Sequence, residues 1–212
     1  MRGPPRLRGL YDLAGGRRIK HTTHGKLHSA MAAGAAMWIT AFPHLDVTMT
    51  SHAELKTVPD LKLPRYLGTW YEIARLPMRH EPEGCTDVSA NYSLQDDGNV
   101  RVQNRCRMDG EIEEAIGEAC VVGNDSARLE VSFLPKGLRW LPFTKGDYWV
   151  MQVAPDYSVA LVGSPDRSYL WLLARTPRLD RTVQDHYLAA ARLQGFDLTN
   201  LIETPHTGQP TA

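Results

Sequence analysis

From Trp70 onward, apolar and polar residues alternate in short runs, the period of a strand with one buried face. Thr86–Leu94 sets Val88, Ala90, Tyr92 and Leu94 against Asp87, Ser89, Asn91 and Ser93. Val100–Arg107 sets Val100, Val102, Asn104 and Cys106 against Arg101, Gln103, Arg105 and Arg107. In Ala127–Phe133, Leu129, Val131 and Phe133 alternate with Arg128, Glu130 and Ser132. Trp70–Arg75, a run holding Ala115, Gly117 and Ala119, then Tyr148–Val153, Val159–Val162 and Tyr169–Arg175 complete the set. Gln95-Asp96-Asp97-Gly98-Asn99 reads as a hairpin turn, because Asp-Gly supplies the positive-φ positions such turns need. Eight short strands joined by turn signals imply an all-β sandwich or an up-and-down barrel.

A helical period follows. Asp180 is the expected N-cap, with Val183, Tyr187, Ala190 and Ala191 on one face and Gly195 as the stop. Residues 206–212 read as a frayed, disordered tail. Ahead of the strands the pattern is different. Residues 1–28 carry Arg2, Arg6, Arg8, Arg17, Arg18, Lys20 and Lys26 against Asp12 alone and show no apolar period, so no fold is assigned to them. The uncharged run from Ala30 to Phe42 is shorter than the ~18 apolar residues a membrane span requires. It has the length of a signal-peptide apolar region behind a basic one, and Ser51-His52-Ala53 offers a cleavage site. A wrongly assigned start or a buried helix is the other reading. The expected organisation is thus a basic, signal-like segment over 1–53, a β domain over 54–205, and the tail.

Formal net charge is zero, but the basic start leaves an acidic body, which argues against a nucleic-acid partner. The cysteines Cys85, Cys106 and Cys120 contain no CxxC pair, so no zinc ribbon is expected, nor any metal or cofactor.

Three pieces of the chain carry a resemblance. They are Leu67-Gly68-Thr69-Trp70-Tyr71-Glu72-Ile73-Ala74-Arg75, Pro155-Asp156-Tyr157, and Leu170-Trp171-Leu172-Leu173-Ala174-Arg175-Thr176-Pro177. In this order and spacing they resemble the three short motifs of the lipocalin family. The phrases GTWYEIARLP, SANYSLQDDG, VQNRCR and YLWLLARTP look like its branch of bacterial outer-membrane lipoproteins and apolipoprotein D, and the likeness runs from about Val58 to Thr204. The resemblance decides for an eight-stranded antiparallel up-and-down barrel with one C-terminal helix packed outside. It implies structural roles for Gly68, Trp70, Asp156, Tyr157 and Arg175, with Trp70 plugging the closed end and the Arg175 guanidinium across its indole.

Within such a barrel the alternation points Ala90, Tyr92, Val102, Asn104, Ala115, Gly117 and Ala119 inward. It does the same for Leu129, Val131, Phe133, Tyr148, Val150, Tyr169 and Trp171. A mostly apolar lining with a few hydroxyls and one amide suits a small hydrophobic or amphiphilic ligand. The family likeness implies binding, storage or transport of fatty acids, lysophospholipids or similar amphiphiles, in upkeep of envelope membranes. The place implied is periplasmic or outer-membrane associated, although no cysteine precedes Cys85 to carry a lipid anchor.

The alternative is a lipocalin-fold isomerase or hydrolase. Cys106 has inward parity, but a thiolate nucleophile needs a base or cation beside it, and no histidine falls on an inward strand position. No catalytic residue is therefore assigned. Export favours a disulfide. Cys85 and Cys106 flank one hairpin almost opposite each other, provided an irregular start to the strand turns Cys85 inward, and Cys120 is then left free. Last, the segment from Leu134 to Gly146 holds Leu138, Trp140, Leu141 and Phe143 beside Lys136, Arg139 and Lys145. So many large apolar residues in a loop suit a membrane surface, a homodimer contact or a lid over the mouth.

Overall fold

The computed structural model describes residues 54–78, 84–134 and 145–209. Over them the alternating runs become β1 (Gly68–Arg75), β2 (Thr86–Leu94), β3 (Val100–Met108), β4 (Glu111–Val122), β5 (Asp125–Ser132), β6 (Gly146–Val153), β7 (Val159–Gly163) and β8 (Leu170–Ala174). Each pairs antiparallel with the next, and β1 pairs with both β2 and β8, so the sheet closes into a barrel. Closure leaves no long unpaired edge, which a sandwich would retain. A short helix α1 (Leu63–Tyr66) precedes β1, and α2 (Arg181–Leu193) and a short β9 (Ile202–Glu203) follow β8.

Two cores result. One fills the barrel and includes Trp70, Tyr92, Val102, Leu129, Val131 and Val162. The other lies between the barrel's outer wall and α2, with Leu161 and Leu172 of the wall against Tyr187, Leu188 and Ala191. Asp180 caps α2 as expected, its carboxylate accepting from the Thr182 N–H at 2.8 Å and the Val183 N–H at 3.4 Å. Of the expected face, Tyr187 and Ala191 are buried and Ala190 partly so, whereas Val183 is exposed; Gln184 and Leu188 complete the buried side. Both sets satisfy helical spacing. What places Gln184 inside is a partner from β9, since its amide donates to Glu203 Oε1 at 3.0 Å.

The closed end is built around one cation. The Arg175 guanidinium lies 3.8 Å from the centre of the Trp70 indole. Its nitrogens donate to the carbonyls of Arg65, Tyr66, Leu67, Thr69 and Tyr157 at 2.7–3.2 Å. Gly68, at φ +92°, turns the chain between α1 and β1 so that these carbonyls converge, and a Cβ there would sit 3.4 Å from the guanidinium. Trp70 Nε1 donates to the Tyr66 carbonyl at 2.7 Å. Tyr157, also at positive φ, stacks under the Arg65 guanidinium at 4.2 Å and accepts from the Lys62 N–H at 2.9 Å. Asp156 accepts from Ser158 at 2.6 Å, holding the turn that carries Tyr157.

At the other end the barrel's seam parts. β1 pairs with β2 only from Gly68 to Tyr71, and beyond a bulge at Ile73 it pairs with β9 instead. The chain after β9 fills the gap. The Thr204 N–H reaches the Ile73 carbonyl at 3.0 Å, and His206 Nε2 donates to the Glu72 carbonyl at 2.7 Å. His206 and Thr207, which the sequence reading places in a frayed tail, are therefore docked. No apolar pattern marks this attachment, which is made by backbone, hydroxyl and imidazole groups.

β2 supplies the receiving end. A bulge between Thr86 and Ser89 puts Asp87 at φ +53°. Its carboxylate takes the Thr207 N–H and O–H at 2.7 Å each and the Thr86 O–H at 3.2 Å. The same extra residue reverses the parity of Cys85, which is joined to Cys106 with a Cα–Cα distance of 5.6 Å, and Cys120 is free.

Replacing Trp70 with Ala is expected to cost roughly 3–5 kcal/mol by the usual penalty for emptying a core site. Arg175→Lys, which cannot serve five carbonyls at once, should cost about 1–3 kcal/mol. Urea unfolding checks both. A second expectation concerns acid. Burial works to raise the Asp87 pKa, but the hydrogen bonds from Thr207 and Thr86 outweigh it and hold the carboxyl below its usual value. Its contribution is then complete above the unfolded value of about 3.9 and lost as pH falls through the lower folded one. Between pH 5 and pH 2, Asp87→Asn should lose less urea-unfolding stability than the wild type.

Candidate functional site

The inner core does not fill the barrel. A cavity runs from Tyr66 and Leu67 at the closed end towards Met78, Phe133 and Gly146 at the other, and the centre of a water-sized sphere ranges over about 90 Å³ within it. One water needs roughly 10–15 Å³ of such space, so several atoms of a ligand can enter.

Of the side chains that alternation turns inward, Ala90, Tyr92, Val102, Asn104, Ala119, Leu129, Val131, Phe133, Tyr148 and Trp171 line this cavity. Ala115, Gly117, Val150 and Tyr169 do not. Val150 is fully buried within the inner core, where its carbonyl accepts from the Val58 N–H at 2.9 Å. Tyr169 precedes β8 and stacks on Trp171, their centroids 6.1 Å apart. Ala115 sits opposite Asn104 and offers only a methyl group. Gly117 was expected to leave open space, but the Phe133 ring occupies it: a Cβ on Gly117 would come within 2.8 Å of that ring and 2.9 Å of the Ser132 carbonyl oxygen.

Tyr66, Glu72, Val88, Val100 and Leu173 also line the cavity and are absent from the sequence-based set. Glu72 shares the parity of Trp70, and Val100 that of Val102, so both could have been found by extending the same alternation. Tyr66 could not, because it belongs to the four-residue helix α1 rather than to a strand.

Three tyrosines form the polar part of the closed end. Tyr148 Oη lies 2.8 Å from Tyr66 Oη and 3.0 Å from Tyr92 Oη. Tyr66 and Tyr92 stack with centroids 5.9 Å apart, and Tyr92 meets Tyr148 edge-on at 6.1 Å. Burial raises all three phenol pKa values, Tyr92 to about 12, so the hydroxyls stay neutral and act as donors and acceptors only. Farther up the wall, Glu72 accepts from Thr204 Oγ1 at 2.6 Å and lies 3.3 Å from Arg75 Nε. Burial pushes its pKa up, against the opposing effects of Thr204 and Arg75.

The thiol chemistry considered for Cys106 has lost its nucleophile to the disulfide. Cys120, the free cysteine, has its thiol pushed up by burial and by the neighbouring Glu118. Among the described residues no three His, Cys, Asp or Glu side chains are grouped to hold a metal. Leu138, Trp140, Leu141 and Phe143 lie outside the described residues, as do residues 1–53 and 210–212.

The contact between Gly117 and Phe133 can be tested. Gly117→Ala is expected to cost about 1–3 kcal/mol through overpacking. Adding Phe133→Leu should recover part of that loss, measured by denaturant unfolding of the single and double variants.

Residues 61–206 match the family model described as a lipocalin-like domain. The chain is 38% identical over 165 residues to temperature-induced lipocalin-1 of Arabidopsis thaliana, covering 76% of this chain and 88% of that protein. It is 40% identical over 152 residues to the outer membrane lipoprotein Blc of Vibrio cholerae, covering 70% and 84%. Among solved structures, insecticyanin from the tobacco hornworm Manduca sexta superposes with a TM-score of 0.58 at 20% identity, covering 73% of this chain and 86% of that one, a likeness of fold.

Proposed function

From a chain that belongs to the lipocalin family, with an apolar cavity in its barrel, we propose a carrier of lipids. Its ligands are fatty acids, lysophospholipids or similar amphiphiles, held in the cavity for upkeep of envelope membranes. The cavity carries this reading. Val88, Val102, Leu129, Val131 and Leu173 offer an alkyl chain an apolar wall, and burial of such a chain yields about 0.8 kcal/mol per methylene. The tyrosine hydroxyls, Glu72 and Asn104 supply the few polar points that fix orientation.

The envelope setting is supported by the relative of Vibrio cholerae that is named an outer membrane lipoprotein. No helix among the described residues is long and apolar enough to cross a membrane. In this proposal the Leu138–Phe143 stretch contributes to delivery, by touching either a membrane or a second copy of the chain. Binding and release without turnover is the activity.

Native mass spectrometry of the purified protein, with extraction of bound lipid, tests the proposal together with tryptophan-fluorescence titration. Palmitate or lysophosphatidylethanolamine should bind saturably at one site. Val131→Asp should reduce that binding at least a hundredfold, since a charge on the apolar wall has no partner there. A protein that yields no lipid and binds neither probe would be a barrel acting through its outer surface.

A further inference from the structure

The polar groups on the cavity wall are not equally provided for. The tyrosine hydroxyls bond to one another, and the Glu72 carboxylate is held by Thr204 and Arg75. Asn104 differs. Its side-chain oxygen Oδ1 is buried and has no hydrogen-bond partner within the protein. Buried polar atoms are nearly always satisfied, so an orphan acceptor on a cavity wall calls for a donor from within the cavity. The strand register shapes its surroundings: Asn104 stands between Ala90 of β2 and Ala115 of β4. Two methyl groups flank the amide, and neither can satisfy its oxygen.

We propose that Asn104 anchors the polar head of the ligand and selects heads that donate a hydrogen bond, such as the hydroxyls of a monoacylglycerol, over a free fatty carboxylate. The proposal rests on reading the cavity as a lipid site and narrows which lipids it takes. An ionised carboxylate has acceptors only and would set oxygen against oxygen at Asn104. The cavity also offers it little compensation, because the described lining residues include no Lys, Arg or His. Arg75, on the same strand as Glu72, is engaged by that carboxylate at 3.3 Å. Glu72 itself lies on the strand at the other side of β2 from Asn104. It and Asp147, the ionisable acids of the described lining, offer an anion no positive partner. A hydroxyl or amide N–H meets none of these penalties and satisfies the orphan oxygen.

Three probes with one chain and different heads test this: 1-monopalmitoylglycerol, methyl palmitate and palmitate, titrated by tryptophan fluorescence. The wild type should bind the glyceride about tenfold more tightly than the ester, as one buried hydrogen bond provides, and palmitate no more tightly than the ester. Asn104→Leu should abolish the preference, bringing the glyceride and the ester to within about twofold of each other. Asn104→Ser, which keeps an acceptor, should retain part of the preference. Equal loss of all three probes in both variants would give Asn104 a packing role and overturn the proposal. A wild-type preference for palmitate that disappears in Asn104→Leu would mean that the amide presents its NH2 to the ligand, which also overturns it. If the wild type binds none of the three while lysophosphatidylethanolamine binds, the carrier reading stands and this selectivity falls; if nothing binds, the carrier reading falls first.

Discussion

The closed end depends on a single guanidinium. Arg175 comes from the end of β8, yet the carbonyls it gathers belong mainly to the turn ahead of β1, so one side chain ties the two ends of the barrel's strand sequence together. Those carbonyls sit where α1 ends and β1 begins, and Arg175 gives each a donor, the Tyr66 carbonyl also taking the Trp70 indole N–H. Left unsatisfied, each would carry a penalty comparable to a lost hydrogen bond. Trp70 then covers the guanidinium's face, excluding water from the contact and adding ~0.5–2 kcal/mol of cation–π attraction. With this end sealed, the apolar lining above it has a floor, and the cavity is a pocket rather than a channel.

Much of this architecture was legible in the sequence because a strand with one wet face must alternate. Once the family resemblance has chosen a barrel, that rule places ten of the cavity-lining positions, from Ala90 on β2 to Trp171 on β8. Where the rule fails, it fails locally. A bulge adds a residue and reverses every later side chain, as at Asp87, where the reversal is what brings Cys85 round to Cys106. Tyr169 lies just outside its strand and stacks on Trp171 rather than lining the cavity. Gly117 obeys the parity but not the inference from it. Its missing side chain makes room for a ring from the neighbouring strand, and no pattern within β4 records that. On α2 the apolar pattern finds Tyr187, Ala190 and Ala191 but not Gln184, since a glutamine can be buried when a partner from elsewhere satisfies it.

The cavity holds few polar groups, and most of them are already satisfied within the protein. Tyr66, Tyr92 and Tyr148 satisfy one another, so the deep end is effectively apolar although three hydroxyls lie there. Glu72 is held by groups from its own strand and from the chain after β9. What distinguishes the wall is an acceptor that the protein leaves unmet, and such groups are more informative about a ligand's head than any count of apolar neighbours.

The parted seam also bears on how the chain reaches its fold. β1 is the first strand of the barrel, yet its partners are β2 for half its length and then β8 and β9, with Arg175 closing its lower end. During synthesis, the strands from β2 to β7 can pair with their neighbours as they emerge. β1 must keep part of one edge open until residues 202–207 have been made, and the whole of its other edge until β8 has been. Until then the apolar lining faces water on a curled but unclosed sheet, the kind of species that chaperones shield and that aggregates when they do not.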